Sequence, residues 1–136
     1  MSAPNIHKSE VAVPAVATAA TADTPIDEAP FAGTVTAVSY VPDAAITGAA
    51  TNSRTVTLYN RGQAGTGTTV VAQLAFVAGT NAAQYGRTTI PLSIVAGATT
   101  VATGDVLEWD SAAVGTGLAD SGGLVHVEVT RADVST

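Results

Sequence analysis

Residues 51–69 read TNSRTVTLYNRGQAGTGTT, a strand pattern followed by a loop rich in glycine and threonine. Val56 and Leu58 alternate with Thr55, Thr57 and Tyr59, so apolar side chains would face one way and polar side chains the other. The polar residues that flank the strand are Asn52, Ser53, Arg54, Asn60 and Arg61. None of them is an obvious acid, base or nucleophile of a catalytic site. The stretch predicts a strand and argues against most chemistry.

Similar patterns recur along the chain from residue 33 onwards. Predicted strands cover 34–41, 55–59, 69–77, 88–95, 99–102, 106–109 and 124–130. Turn signals that contain glycine or proline separate them. The alanines are mixed with Thr, Val and Gly, which lowers helix propensity. The predicted fold class is all-β, a small β-sandwich or jelly-roll-like domain.

The inward-facing side chains of these strands are predicted to form one core. They are Val56, Leu58, Leu74, Phe76, Ile90, Leu92, Ile94, Leu107, Trp109, Val125, Val127 and Val129. On strand 69–77 the alternation also places Val70 and Ala72 on the inward face. Pro91 has no N–H for a sheet ladder, so strand 88–95 is expected at an edge or at a bulge.

The N-terminal residues differ in composition from the rest. Residues 1–30 contain four of the six prolines and show no regular period, which favours extended backbone. We therefore predict two units, an extended Pro/Ala/Thr-rich arm over 1–30 and a β-sandwich domain over 31–136. Deletion of residues 2–28 is expected to leave the stability of the domain almost unchanged.

The arm is expected to become ordered only against a partner. Fixing each backbone residue costs about 1–2 kcal/mol, and the arm has little apolar surface of its own to offset that cost. The arm side chains predicted to be buried on the partner are Ile6, Val11, Val13, Val16, Ile26 and Phe31.

Charge and composition limit the partners. The chain has 136 residues, enough for one domain, and a net charge of −6 with only five Lys and Arg residues. Phosphate backbones and anionic membrane surfaces are bound by clustered cations, so neither nucleic acid nor a membrane is an expected partner. Only 12% of residues are charged. A surface with so few charges is expected to be partly buried in a homo-oligomer.

No motif predicts catalysis. His7 lies in the arm and His126 on a strand, without a G-x-S-x-G nucleophile motif in the chain. Glu108 and Asp110 share a strand face, as do His126 and Glu128, and both pairs are interpreted as solvated surface groups. No cysteine and no metal-ligand spacing is present. We therefore expect no enzyme activity, no metal and no cofactor.

Three segments carry a resemblance to a known family. They are the NSRTVTLYN strand at 52–60, the GDVLEW segment at 104–109 and the GLVHVEVT strand at 123–130. With their surroundings over residues 31–132 they resemble head decoration (cement) proteins of tailed bacteriophages, of the type found in phages of actinobacteria.

The resemblance implies a structural role on the capsid exterior of a virion. Such proteins bind the outer surface of the shell, often as trimers, and bridge neighbouring major capsid subunits against the pressure of the packaged DNA. The alternative is a phage tail or baseplate β-module, or a carbohydrate- or receptor-binding domain. That alternative requires exposed aromatic side chains, and its candidates are Tyr40, Tyr59, Tyr85 and Trp109.

Overall fold

The computed structural model describes residues 5–132, whose strands pair antiparallel throughout. The strands are β1 (Ile6–Val13), β2 (Ala22–Glu28), β3 (Gly33–Pro42), β4 (Ile46–Thr47), β5 (Ser53–Asn60), β6 (Thr69–Ala75), β7 (Asn81–Ala82), β8 (Thr88–Thr89), β9 (Thr100–Val101), β10 (Val106–Val114) and β11 (Gly123–Arg131). Among the described residues no helix is long and apolar enough to cross a bilayer. The predicted all-β fold is confirmed. The first four residues of the predicted arm and the last four of the predicted domain lie outside the described residues.

Two sheets form the sandwich. The five-stranded sheet has the order β1-β11-β3-β8, with β9 also paired to β3, and the four-stranded sheet has the order β2-β10-β5-β6. Strands β4 and β7 form a separate two-stranded pair. Strands β10 and β11 alternate between buried and more exposed positions, as strands with one face on a core must, whereas β3 alternates only at its start and β5 is buried at most of its positions.

The core lies between the two sheets. Of the predicted inward set, the fully or nearly fully buried members are Val56, Leu58, Phe76, Ile90, Leu107, Trp109, Val125, Val127 and Val129. Leu74 and Leu92 are partly buried against this cluster. Near its centre, the ring centroids of Tyr40 and Trp109 are 5.3 Å apart. The predicted face assignment is therefore confirmed for nearly all of the set.

The division into an arm and a separate domain needs correction. Strand β1 pairs with β11 over its whole length, and β2 pairs with β10, so the N-terminal residues supply one edge strand to each sheet. The side chains of His7 and Asp27 join the two edges, with Nε2 and Oδ2 3.0 Å apart. The backbone is extended, as proline content predicted, but it belongs to the sandwich from Ile6 to Glu28.

The predicted strand 88–95 is wrong beyond its first residues, and Ile94 is wrongly placed in the core. The N–H of Ile90 donates to Val38 O in the five-stranded sheet, and Pro91 O accepts from Gln73 in the four-stranded sheet. The segment therefore crosses from one sheet to the other. Past the crossing the alternation no longer applies, and Ile94 is 100% exposed.

A β-bulge shifts the face of strand β6. Leu58 pairs with Ala72 but Tyr59 pairs with Val70, so Val71 is the extra residue. Both Val71 and Ala72 are fully buried, whereas Val70 is only half-buried. The prediction that Val70 faces inward is therefore wrong, and its neighbour Val71 is the buried residue.

Candidate functional site

The outer face of the five-stranded sheet carries a row of polar side chains across three strands. Glu10 of β1 lies opposite His126 of β11, and Ser39 of β3 lies on the other side of the histidine. They face outward because the residues on either side of His126 along β11 are buried in the core. Glu, His and Ser are the residue types of a hydrolytic triad, so their geometry decides whether chemistry is expected.

That geometry does not prepare a nucleophile. Nε2 of His126 lies 2.9 Å from Oε2 of Glu128, and Nδ1 lies 3.6 Å from Oε1 of Glu10. The hydrogen bond with the imidazole ring lowers the pKa of Glu128. A general base needs a free ring nitrogen within reach of the nucleophile. Both ring nitrogens of His126 face carboxylates. Among the hydrogen bonds of residues 5–132, none joins Ser39 to this ring.

Two adjoining depressions form a groove beside this row. Their volumes are about 320 Å³ and about 180 Å³, and Ser39, Arg87 and His126 line both of them. The larger depression extends over Pro91 and Leu92. Arg87 is exposed and forms no ion pair with any other described residue. A cation beside an apolar wall on an open sheet face fits contact with another protein better than it fits catalysis.

The carboxylates of β10 lie on the outer face of the four-stranded sheet. Nε and Nη2 of Arg61 donate to Oε1 of Glu108 at 3.0 and 2.8 Å. The guanidinium carbon of Arg61 also lies 4.4 Å from the ring centroid of Tyr59. Glu108 is therefore held in an ion pair at the surface, which agrees with the prediction that it is a surface group.

Asp110 lies two residues further along the same face. Burial, followed by the charge of Asp23 directly opposite it in β2, raises the pKa of Asp110 to about 6. Glycoside hydrolysis by two carboxyl groups requires a cleft that holds a sugar ring between them. Trp109, the aromatic residue between Glu108 and Asp110, points into the core and is 2% exposed. The aromatic ring that does lie beside Glu108 on this face, that of Tyr59, is covered by the Arg61 guanidinium and so is not a free platform on which a sugar could stack.

No metal centre is found among residues 5–132. No group of three or more His, Asp or Glu side chains in this part of the chain is arranged to hold an ion.

The six arm residues expected to meet a partner lie in the chain's own sandwich. Val13, Val16 and Ile26 are buried at 6 to 7% exposure. The partly buried ones are Val11 and Phe31, which pack against the same core. Ile6 remains 49% exposed. Of the six, only Ile6 therefore offers a large free apolar surface, and Val13, Val16 and Ile26 are buried in the sandwich that their own segment helps to form. Their contact with another molecule stays a prediction.

A buried arginine holds the N-terminal segment in place. Arg54 is 0% exposed, and its Nη2 lies within hydrogen-bond distance of three carbonyl oxygens of the link between β1 and β2. The distances are 2.9 Å to Ala17, 3.1 Å to Thr18 and 3.1 Å to Ala20. Gly117 makes room for this link, because a Cβ there would overlap the Thr18 carbonyl oxygen. The guanidinium thereby fixes the path of residues 17–20 across the end of the sandwich.

The same guanidinium belongs to a buried polar network. Its Nη1 donates to Ser111 Oγ at 3.1 Å, and that hydroxyl donates to Oδ2 of Asp120 at 2.7 Å. The Tyr40 hydroxyl and the Gly122 N–H donate to the other oxygen of Asp120, at 2.5 and 3.0 Å. Burial lowers the pKa of Arg54, and burial together with the bond to Asp120 raises the pKa of Tyr40. The buried charges therefore have partners, as buried charges must.

Sequence reasoning treated Arg54 as a polar flanking residue and missed this network. One signal was present in the strand itself. Arg54, Val56 and Leu58 are spaced by two residues and therefore share a strand face. The pattern that placed the two apolar residues inward also placed the arginine inward.

Comparisons with known proteins add nothing to this geometry. No family model, no curated protein and no solved structure matches the chain. Proposals about function therefore rest on the residues and the fold.

Proposed function

We propose that the chain is a non-enzymatic structural protein that binds the outer surface of a phage capsid and bridges neighbouring major capsid subunits. The proposal begins from the resemblance of residues 31–132 to head decoration proteins. The observation that carries it furthest is the set of large apolar side chains exposed on loops. Ile94 is 100% exposed, Val95 69% and Tyr85 73%. Ile94 and Val95 are adjacent in one loop and Tyr85 lies in another, and exposed large apolar side chains of this kind are typical of surfaces that bind other proteins.

The loop with Tyr85 shows how such a side chain is held outward. Tyr85 has a φ of 59°, in the left-handed region that residues other than glycine rarely adopt. Its N–H donates to Pro42 O at 2.9 Å, which anchors the loop to the end of β3. Backbone strain of this kind costs about 1–3 kcal/mol and is concentrated at functional positions. The loop is therefore a good candidate for a contact with another protein.

Polar groups and charge support the same role. The side chains best suited to acid–base chemistry are His126, Glu128 and Glu108. All three form hydrogen bonds or ion pairs with other side chains. A net charge of −6 suits a shell exterior better than a surface that faces packaged DNA, because DNA is bound by cations.

The alternative of a carbohydrate- or receptor-binding module has less support. Sugar recognition would use exposed aromatic rings, and two of the four candidates are buried, Tyr40 at 0% and Trp109 at 2% exposure. Tyr59 is half-buried and stacked under Arg61. Tyr85 alone among the four is largely exposed. One exposed aromatic side chain fits a protein contact as well as it fits a sugar.

The test is binding to empty mature shells that lack decoration. The chain should co-sediment with shells and should not bind bacterial cells or glycans. Ile94→Asp should weaken shell binding at least about tenfold, or 1.4 kcal/mol, because it removes the large apolar side chain that the contact would bury. Ala96→Asp is the control, since it adds the same charge to the same loop without removing a large apolar group.

Two results would count against the proposal. Failure of the unmodified chain to bind shells would contradict the function itself. Equal binding by Ile94→Asp and the unmodified chain would contradict the assignment of this loop as the contact surface.

A further inference from the structure

Residues 33–132 form a sandwich that is incomplete without the N-terminal segment, defined here as residues 5–28. Strands β10 and β11 each have one neighbour in the remainder of the chain, β5 and β3 respectively. Their other edges are covered by β2 and β1. Without the N-terminal segment, both sheets would present long unpaired edges, which are ready templates for another strand.

The surface that receives this segment is specific. Arg54 directs donors at the carbonyl oxygens of Ala17, Thr18 and Ala20, and Val16 forms a β-bridge with Asp120. A buried guanidinium without acceptors is strongly destabilising. The surface around Arg54 therefore requires a backbone segment that places carbonyl oxygens at these positions. The N-terminal segment of this protein supplies them.

The connection between the segment and the remainder is short. Ala29 directly follows β2 of the four-stranded sheet and makes backbone hydrogen bonds with Asp105 and Gly104, just before β10, whereas Gly33 begins β3 in the five-stranded sheet. Packed sheets lie about 10 Å apart, and the four Cα steps between these residues span about 13 Å when fully extended. The chain bends at residues 30–32, where Pro30 restricts the backbone. Short connections of this kind favour exchange of a terminal element between copies.

We propose that the N-terminal segment is exchanged between copies of this chain, so that each sandwich is completed by β1 and β2 of a neighbour. The neighbour then provides the strand that pairs with β11, the strand that pairs with β10 and the three carbonyl groups that Arg54 requires. Apart from those of the connecting residues 30–32, the contacts made within one chain are conserved in the exchanged form, which is why exchange is a low-cost route to a homo-oligomer. The proposal concerns how copies join, and binding to shells can succeed or fail independently of it.

An engineered disulfide tests the exchange directly, because the chain contains no cysteine. Lys8 and Glu128 are outward-facing partners in the β1–β11 register. Residues directly opposite each other in antiparallel strands have Cβ atoms about 4.5–5.5 Å apart, at the upper limit for a disulfide and within reach of a short bifunctional thiol-reactive cross-linker. The full-length variant Lys8→Cys with Glu128→Cys is purified, cross-linked and analysed on a denaturing, non-reducing gel.

Exchange predicts covalent dimers or larger species as the main product. The matched control is Val41→Cys with Leu124→Cys, an opposed pair within the β3–β11 register, which should give only internally linked single chains. Lys8→Cys alone measures links that arise from random collision. If the Lys8 and Glu128 pair also yields only internally linked single chains, or if the unmodified chain is a monomer at every concentration, the proposal is overturned.

Discussion

Replacement of the buried Arg54 is the perturbation with the largest expected effect on stability. Arg54→Met keeps much of the side-chain length but removes every donor to the carbonyl groups of Ala17, Thr18 and Ala20, and to that of Leu118 at 2.5 Å. It also leaves the buried Asp120 without its nearby positive charge. Removing one member of a buried charged network costs about 3–5 kcal/mol. A domain is typically stable by about 5–15 kcal/mol, so the variant should be close to its limit.

Urea denaturation monitored by Trp109 fluorescence measures this loss, since Trp109 is the only tryptophan and is buried. Arg54→Lys should also be destabilised, because an ammonium keeps the charge but lacks the planar set of donors that reaches several carbonyls. Arg87→Met is the matched control at an exposed arginine and should change stability by less than about 0.5 kcal/mol. An Arg54→Met loss below about 1 kcal/mol would refute the assigned role of the guanidinium.

Three further expectations concern the N-terminal segment, Asp110 and the core. Deletion of residues 2–28 should unfold the chain, measured by circular dichroism, and a folded truncated form would contradict the pairing of β1 and β2. Because the pKa of Asp110 rises from 3.8 to about 6 on folding, the unfolded chain ionises first and stability falls as pH rises between these values. Asp110→Asn should therefore gain stability over the unmodified chain across that window, by up to about 2 kcal/mol after allowance for solvent screening, and an equal difference at pH 4 and pH 7 in urea titrations would contradict this. Phe76→Ala should cost about 3–5 kcal/mol by urea denaturation whereas Ile94→Ala should cost under about 0.5 kcal/mol, and equal costs would contradict their placement.

Strand β11 was predictable because it has one face on the core. Val125, Val127 and Val129 alternate with polar residues, and burial follows that alternation without exception. The same logic failed for Ile94, since the chain leaves one sheet for the other at Pro91 and a crossing segment has no regular period. Nothing in the local pattern distinguishes such a crossing from a strand that contains a proline.

The N-terminal segment was misjudged because its stabilising contacts are distant in sequence. Its own residues have little apolar surface with which to fold alone, so its order depends on contacts with the rest of the sandwich. The segment is held by the donors of Arg54 and by the edges of β10 and β11. The strand edges lie about a hundred positions away in the sequence. Local composition cannot report such pairing. The groove beside His126 was also beyond the sequence, because Arg87 reaches it only through the pairing of β8 with β3.

The most direct test of the proposed function is the number of copies of this chain in purified virus particles, counted against the major capsid protein by quantitative mass spectrometry. Shell decoration predicts hundreds of copies per particle, in a fixed ratio to the capsid subunits. A handful of copies per particle would contradict it and would place the chain in the tail or at the portal.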